Sequence, residues 1–146
     1  MIFREATLGD LPAILDMLRD DLLGQTREGA PMAVYEDRFR QIQTEPHNQV
    51  IVGEAEGRLI ATYQLTLISG LSLGATRRAQ LESVRVLSSE RGRGIGHQLI
   101  ADAETRARAA GCGLLQLTMN RSRTETHRFY EQLGFTPSHV GFKREL

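Results

Sequence analysis

The sequence predicts an α+β, or mixed α/β, fold: a mostly antiparallel sheet of six or seven strands flanked by about four helices. Three observations predict it. Along the 146 residues the apolar pattern shifts between strand-like alternation and helical spacing. The resulting order is β, α, α, β, β, β, α, β, α, then one or two closing strands. Only one strand–helix–strand crossover breaks the run of antiparallel connections. The length suits a single domain over residues 1–146, large enough to bury most of the surface its unfolded chain exposes.

"IFREA" is a short strand. "TLGDLPAILDMLRDDLLG" reads as one helix, because Thr7 and Asp10 have capping-box spacing, Pro12 suits a first turn, and Leu11, Ile14, Leu15, Leu18 and Leu22 recur at helical intervals. "QTREGAPMA" reads as a loop, and "VYEDRFRQIQTE" as a second helix stopped at Pro46. "QVIVGEAEGRLIATYQLTLIS" is a hairpin turning at Glu56-Gly57. After the polar connection "GLSLGATRR" comes the strand "AQLESVRVL". Beyond it, Ile95, Leu99, Ala103, Ala107 and Ala110 share a helix face that stops at Gly111. "GLLQLTMN" is a strand, "RTETHRFYEQL" a helix ended by Gly134, and "FTPSHVGFKREL" supplies the closing strands.

Composition excludes several classes. Eighteen basic residues balance eighteen acidic ones, so the overall charge calls for neither nucleic acid nor an anionic membrane. The single Cys112 has no partner for an internal disulfide, and no His/Cys spacing suggests a metal. No apolar run approaches the roughly 20 residues of a membrane span, and "MIFREATLGD" lacks a secretory pattern. The expectation is a cytoplasmic protein with an inert, partly buried thiol.

The chemistry concentrates in "RGRGIG", Arg91 to Gly96, where a strand becomes a helix. A helix start leaves backbone N–H groups unpaired and carries about half a positive charge, which favours an anion. Glycine lets the backbone approach that anion and take positive φ. Arg91 and Arg93 add charge, so the arrangement suits a phosphate or pyrophosphate. A Walker loop would need Lys-Ser or Lys-Thr after its last glycine, whereas Ile95-Gly96-His97 stands there, and the glycines at 92, 94 and 96 miss the G-x-G-x-x-G spacing of a Rossmann turn.

The stretch from Val86 to Ile100, with Arg91, Gly94 and Gly96 in Arg-x-x-Gly-x-Gly spacing, resembles the acyl-CoA-binding motif of the GNAT superfamily of N-acetyltransferases. A second signature follows in Asn120 and in "FYEQLGF", Phe129 to Phe135. The resemblance covers nearly the whole chain and implies the GNAT acyl-CoA N-acyltransferase fold. It further implies acetyl-CoA as cosubstrate, its pyrophosphate held by Arg91, Gly92, Arg93, Gly94, Ile95 and Gly96. Val84 and Val86 would line the pantetheine, and Asn120 and Tyr130 would lie near the pantetheine arm and the sulfur. Tyrosine suits proton donation to a departing thiolate, since its phenol, with a pKa of about 10, keeps its proton at neutral pH. Tyr130 also reads as part of the core face of its helix.

The acceptor amine must lose a proton, and Glu82 in "LESVRV" is the candidate base. Its surroundings resemble the aminoglycoside branch of the superfamily, although a solvated strand face explains a glutamate equally well. The tail "HRFYEQLGFTPSHVGF" is similar to the C-terminal end of aminoalkylphosphonate N-acetyltransferases. That makes His139 a second candidate for base or acceptor contact, against a structural role. Arg77, Arg78 and Arg85 offer charge for an anionic acceptor, or simply solubility. The resemblance thus implies an enzyme moving acetyl to the primary amine of a small molecule by direct attack in a ternary complex, and a homodimer, with no nucleic acid or membrane partner. A non-catalytic acyl-CoA sensor or regulatory module, and an enzyme acting on protein or peptide amines, remain as alternatives.

Overall fold

Strands β2 (Asn48–Ala55) and β3 (Arg58–Ile68) form the hairpin that anchors the sheet. Its two-residue turn has Glu56 at φ 51° and Gly57 at φ 74°, the doubly left-handed geometry whose twist matches that of the strands. The computed structural model describes residues 1–146 except the side chain of Leu22. That side chain, expected on the first helix face, lies outside the described residues.

β1 (Ile2–Glu5) pairs antiparallel with β2, and β4 (Arg78–Val86) antiparallel with β3. β5 (Leu114–Leu117) pairs parallel with β4 after the crossover helix α5 (Ile95–Ala109), giving the order β1-β2-β3-β4-β5. Both faces are covered. On one, Leu99, Ile100, Ala103 and Ala107 of α5 meet Tyr63, Leu65, Ala79 and Leu81 of the sheet. On the other, α1 (Leu11–Arg19) and α3 (Met32–Thr44) bring Leu11, Ile14, Leu15 and Phe39 onto Val52. Burying such side chains stabilises by roughly 1.5–3 kcal/mol each. The polar atoms drawn into this packing are paired: the Tyr63 hydroxyl donates to Asp102, Arg106 Nε donates to the same carboxylate at 2.8 Å, and Arg106 Nη2 reaches the Phe3 carbonyl at 3.2 Å.

Three expectations are corrected. The first helix is two: α1 stops at Arg19, and α2 (Leu22–Arg27) starts anew. Asp21 is extended (φ −151°, ψ 164°), and its Oδ1 accepts the Gly24 N–H at 2.5 Å, so a local cap outcompetes helix continuation. Gly24 makes the corner possible, since a Cβ there would lie 1.8 Å from the Leu18 carbonyl oxygen. The helix total is six rather than about four, counting the single turn α4 (Ser72–Ala75) and α6 (Thr124–Gln132).

The sheet has five strands, not six or seven. Residues 136–146 form none, although they return past the end of β5, where a Cβ on Gly141 would stand 3.8 Å from Thr118 Cγ2. Val140, Phe142 and Leu146 stay exposed. The alternation in this tail finds no surface to bury against, and Pro137 removes one ladder donor.

Candidate active site

The sheet opens at β4. Its parallel pairing with β5 ends at Leu81↔Leu117, while β4 continues to Val86, leaving a wedge beside residues 82–86. A bulge marks the start of the wedge: Ser83 has φ 52°, the β3–β4 register shifts between Thr62 and Gln64, and Glu82 and Ser83 are exposed. Such bulges bend a strand and re-aim its side chains. Leu87 donates its N–H to Ile60 on β3, so alternation turns the Val84 and Val86 carbonyls toward the open side. Arginine side chains meet both there, Arg85 Nη1 at 2.9 Å from the Val84 oxygen and Arg91 Nε at 3.4 Å from that of Val86.

The chain then makes one 3₁₀ turn, Ser88–Glu90, and enters the glycine loop. Gly92 and Gly94 have φ 74° and 76°, and a Cβ on either would meet nothing within 4 Å. Conformation, not crowding, requires glycine at both, and the space before the loop is open. Gly94 is the N-cap of α5 and provides no side-chain acceptor, so the first N–H groups of the helix remain available to an anion. These features fit a pyrophosphate. Gly96 differs: a Cβ there would stand 2.9 Å from Phe129 Cζ, which makes it the contact point between α5 and α6. Arg93 pairs with Glu90 at 2.6 Å. The Asp20 carboxylate accepts from Ser88 N at 2.8 Å and from its hydroxyl at 3.1 Å, strapping the α1–α2 corner to the loop.

α6 supplies Tyr130, 9% exposed and held edge-on between Phe129 and Phe135, with ring centroids 5.2 and 5.5 Å away. Burial pushes its phenol above the usual tyrosine range, against the opposing charges of Arg85 and Arg123. Val84, Val86 and Leu87 belong to the same apolar cluster as Tyr130, so α6 closes the wedge from one side while Glu82 stands at its far end. Asn120 has its Oδ1 occupied, accepting from Ser122 N at 3.0 Å and from its hydroxyl at 2.7 Å. It thereby shapes the turn into α6. His139 is exposed on the tail and contacts Ser138 Oγ at 2.7 Å.

Arg77 is drawn elsewhere, donating to the Ala110 carbonyl at 2.7 Å beyond the start of β4. Of the three arginines that offer charge for an acceptor, or simply solubility, Arg85 lies on the part of β4 beyond its pairing with β5. Sequence reasoning passed over Asp20, Asp21 and Arg123. Asp21 could have been noticed from its cap spacing to Gly24. On the α1/α3 face the bulge overlooks a cavity of about 170 Å³, walled by Leu11, Leu18, Tyr35, Phe39, Gln64 and Ser83. Among the described residues, no three His, Cys, Asp or Glu side chains gather as metal ligands, and no helix is long and apolar enough to cross a membrane.

Residues 14–135 match the Acetyltransferase (GNAT) family. The chain belongs to that family. Its members use acetyl-CoA, and the chain is accordingly an acetyl-CoA-dependent N-acetyltransferase. A GNAT relative in Salmonella typhimurium, aminoalkylphosphonate N-acetyltransferase, is 42% identical over 67 residues, which span 46% of this chain and only 44% of the relative. A solved structure of a Bacillus halodurans protein called a transcriptional regulator superposes with a TM-score of 0.93 at 40% identity, covering 99% of each chain. Glucosamine-6-phosphate N-acetyltransferase from Arabidopsis thaliana shares the fold at a TM-score of 0.81 and 20% identity, over 99% of this chain and 97% of its own.

Proposed function

We propose that this N-acetyltransferase acetylates the primary amine of a small molecule by direct attack within a ternary complex. The observation that carries the reading is the β4 wedge, with an open glycine loop at one end, an exposed carboxylate at the other, and a buried phenol beside it. Acetyl-CoA supplies the acyl group as a thioester. Arg91, Arg93 and the backbone from Gly92 to Gly96 hold its pyrophosphate, and the strand edge at Val84 and Val86 lines the pantetheine. Gly96 contributes by letting Phe129 and α6 approach. Asn120 acts through the turn that delivers α6.

Glu82 takes the proton from the acceptor ammonium, freeing the nitrogen lone pair to attack the thioester carbonyl. Tyr130 gives its proton to the departing sulfur and regains one from the nitrogen, which sheds its second proton as the amide forms. A phenol whose burial raises its pKa stays protonated at neutral pH and is ready for that task. The bulge at Ser83 and the cavity beneath it offer the acceptor room of small-molecule size. His139, on the exposed tail, is a secondary acceptor contact in this reading. The reading includes a homodimer, as the family resemblance implies, working in the cytoplasm.

The test is a panel of primary amines, with aminoalkylphosphonates first because of the Salmonella relative, monitored by CoA release. Turnover of a small amine with kcat/KM well above that for peptide amines supports the reading. Acetyl-CoA binding without turnover of any small amine rejects it, and turnover confined to peptide amines replaces it with a protein acetyltransferase.

A further inference from the structure

One carboxylate serves two guanidiniums where the α1–α2 corner meets the wedge. Asp21 Oδ2 lies 2.5 Å from Arg123 Nη2 and 3.6 Å from Arg85 Nε. The other oxygen of Asp21 is spent on the Gly24 N–H. Arg85 is only 17% exposed in its side chain, and its Nε is buried without a hydrogen-bond partner among the described residues. With Nε turned inward toward Asp21 and Nη1 donating to the Val84 carbonyl at 2.9 Å, Nη2 is the end of this guanidinium that an incoming acceptor can meet. Further out, Glu28 and Arg27 act on Arg85 with opposite signs, and Glu28 is already engaged by the Tyr35 hydroxyl at 3.0 Å. The cluster therefore keeps about one uncompensated positive charge.

Its position gives that charge a use. Arg85 sits on the free part of β4, between the two valines whose carbonyls face the wedge. Arg123 is the N-cap of α6, seven residues before Tyr130. That is two turns, so the two lie on one helix face about 10 Å apart along the axis. Arg85 reaches the wedge itself, Nη1 donating to the Val84 carbonyl at 2.9 Å, and the charges of both arginines oppose the burial that raises the Tyr130 pKa.

We propose that Arg85 and Arg123 bind an oxyanion carried by the acceptor, a phosphonate, phosphate or carboxylate, and so select amines that bear an acid group a few bonds from the nitrogen. This rests on the N-acetyltransferase reading of the same site. Each guanidinium carries five N–H donors, so it can keep its protein partner and still give a charge-assisted hydrogen bond to such a group. Asp21 positions the two arginines and lowers their net charge, so that a weakly held anion can enter and leave.

The experiment compares 2-aminoethylphosphonate, β-alanine and propylamine as acceptors for the wild type, Arg85→Gln, Arg123→Gln and Asp21→Asn. For the wild type, one of the two acid-bearing amines exceeds propylamine in kcat/KM by about 10²-fold or more, and the better of them identifies the anion class. In each arginine variant the ratio falls by about tenfold or more, through KM. Asparagine caps a helix as well as aspartate does, so Asp21→Asn keeps the corner and lowers KM for the acidic acceptor. A general loss of structure would raise it. Equal use of propylamine by the wild type, or variants that cut all three amines in proportion, overturns the proposal.

If no amine is turned over, calorimetry with 2-aminoethylphosphonate and ethylphosphonate on the acetyl-CoA-loaded protein separates the two ideas. Binding that Arg85→Gln loses retains the anion site while the transfer reading falls. No binding by the wild type removes the anion site itself.

Discussion

Gly96 has no Cβ because Phe129 occupies the place where one would go: the built Cβ stands 2.9 Å from the ring's Cζ. Phe129 in turn packs edge-on against Tyr130 and against His97 at centroid distances of 5.2 and 5.4 Å. The last glycine of the loop therefore sets the distance between α5 and the helix that carries the phenol. Gly96→Ala must move Phe129, and overpacking of this kind costs about 1–3 kcal/mol. The expected result is a lower melting temperature and a fall in kcat larger than the loss of acetyl-CoA affinity. Gly94→Ala has open space, and its cost comes from holding alanine at φ 76°, about 1–2 kcal/mol. It should chiefly weaken acetyl-CoA. Calorimetry and steady-state kinetics on the pair check the contrast, and identical profiles would refute it.

Tyr130→Phe removes the proposed acid while keeping the ring in its aromatic sandwich. kcat should drop by about 10²-fold or more, with acetyl-CoA affinity nearly unchanged. The pH profile carries an independent sign. Because burial raises the phenol's pKa above its ordinary value of about 10, the acid form persists through the alkaline range. The wild-type rate should show no descending limb below about pH 10. A fall beginning at pH 8 or 9, without unfolding, would assign the proton donor elsewhere.

The glycine loop was legible because its requirements are local. Positive φ at Gly92 and Gly94 and a helix start directly after them leave a mark in adjacent residues. The hairpin turn at Glu56-Gly57 was legible for the same reason. The break at Asp20-Asp21 was not, since Leu18 and Leu22 keep helical spacing straight across it. What decides that break includes Ser88 and Arg123, held by Asp20 and Asp21 across 68 and 102 residues of chain. Arg123 carried no signal of its own, because its role depends on where α2 comes to rest. The C-terminal alternation around Val140 and Phe142 promised strands, but periodicity states which side chains share a face and not whether a surface waits for them.

Glu82→Gln tests the base. At neutral pH nearly all of a simple amine acceptor is protonated, and the variant should lose about 10²-fold in kcat/KM. The gap should close as pH rises toward the acceptor's own pKa, because a neutral amine no longer needs a proton removed before attack. A gap that stays constant from pH 7 to 10 would reduce Glu82 to a binding contact and transfer the role to a bridging water or to His139, which the same profile on His139→Gln would distinguish.

Asp10 connects β1 to the start of α1, and its contribution to stability should be readable from acid titration. Its carboxylate accepts Arg4 Nη1 at 2.7 Å and the Thr7 N–H at 2.7 Å. The Arg4 hydrogen bond first, then those from Thr7, outweigh burial and hold its pKa down at about 2. In the unfolded chain an aspartate titrates near 3.9. The folded value is the lower one, so the folded state favours the ionised form. The contribution is fully present above about pH 4 and drains away as pH falls toward about 2. Asp10→Asn removes the ionisation, so the urea midpoint of the wild type should exceed that of the variant at pH 5 and approach it as pH falls through about 2. Parallel curves over that range would show that Asp10 acts only through neutral hydrogen bonding at the helix start.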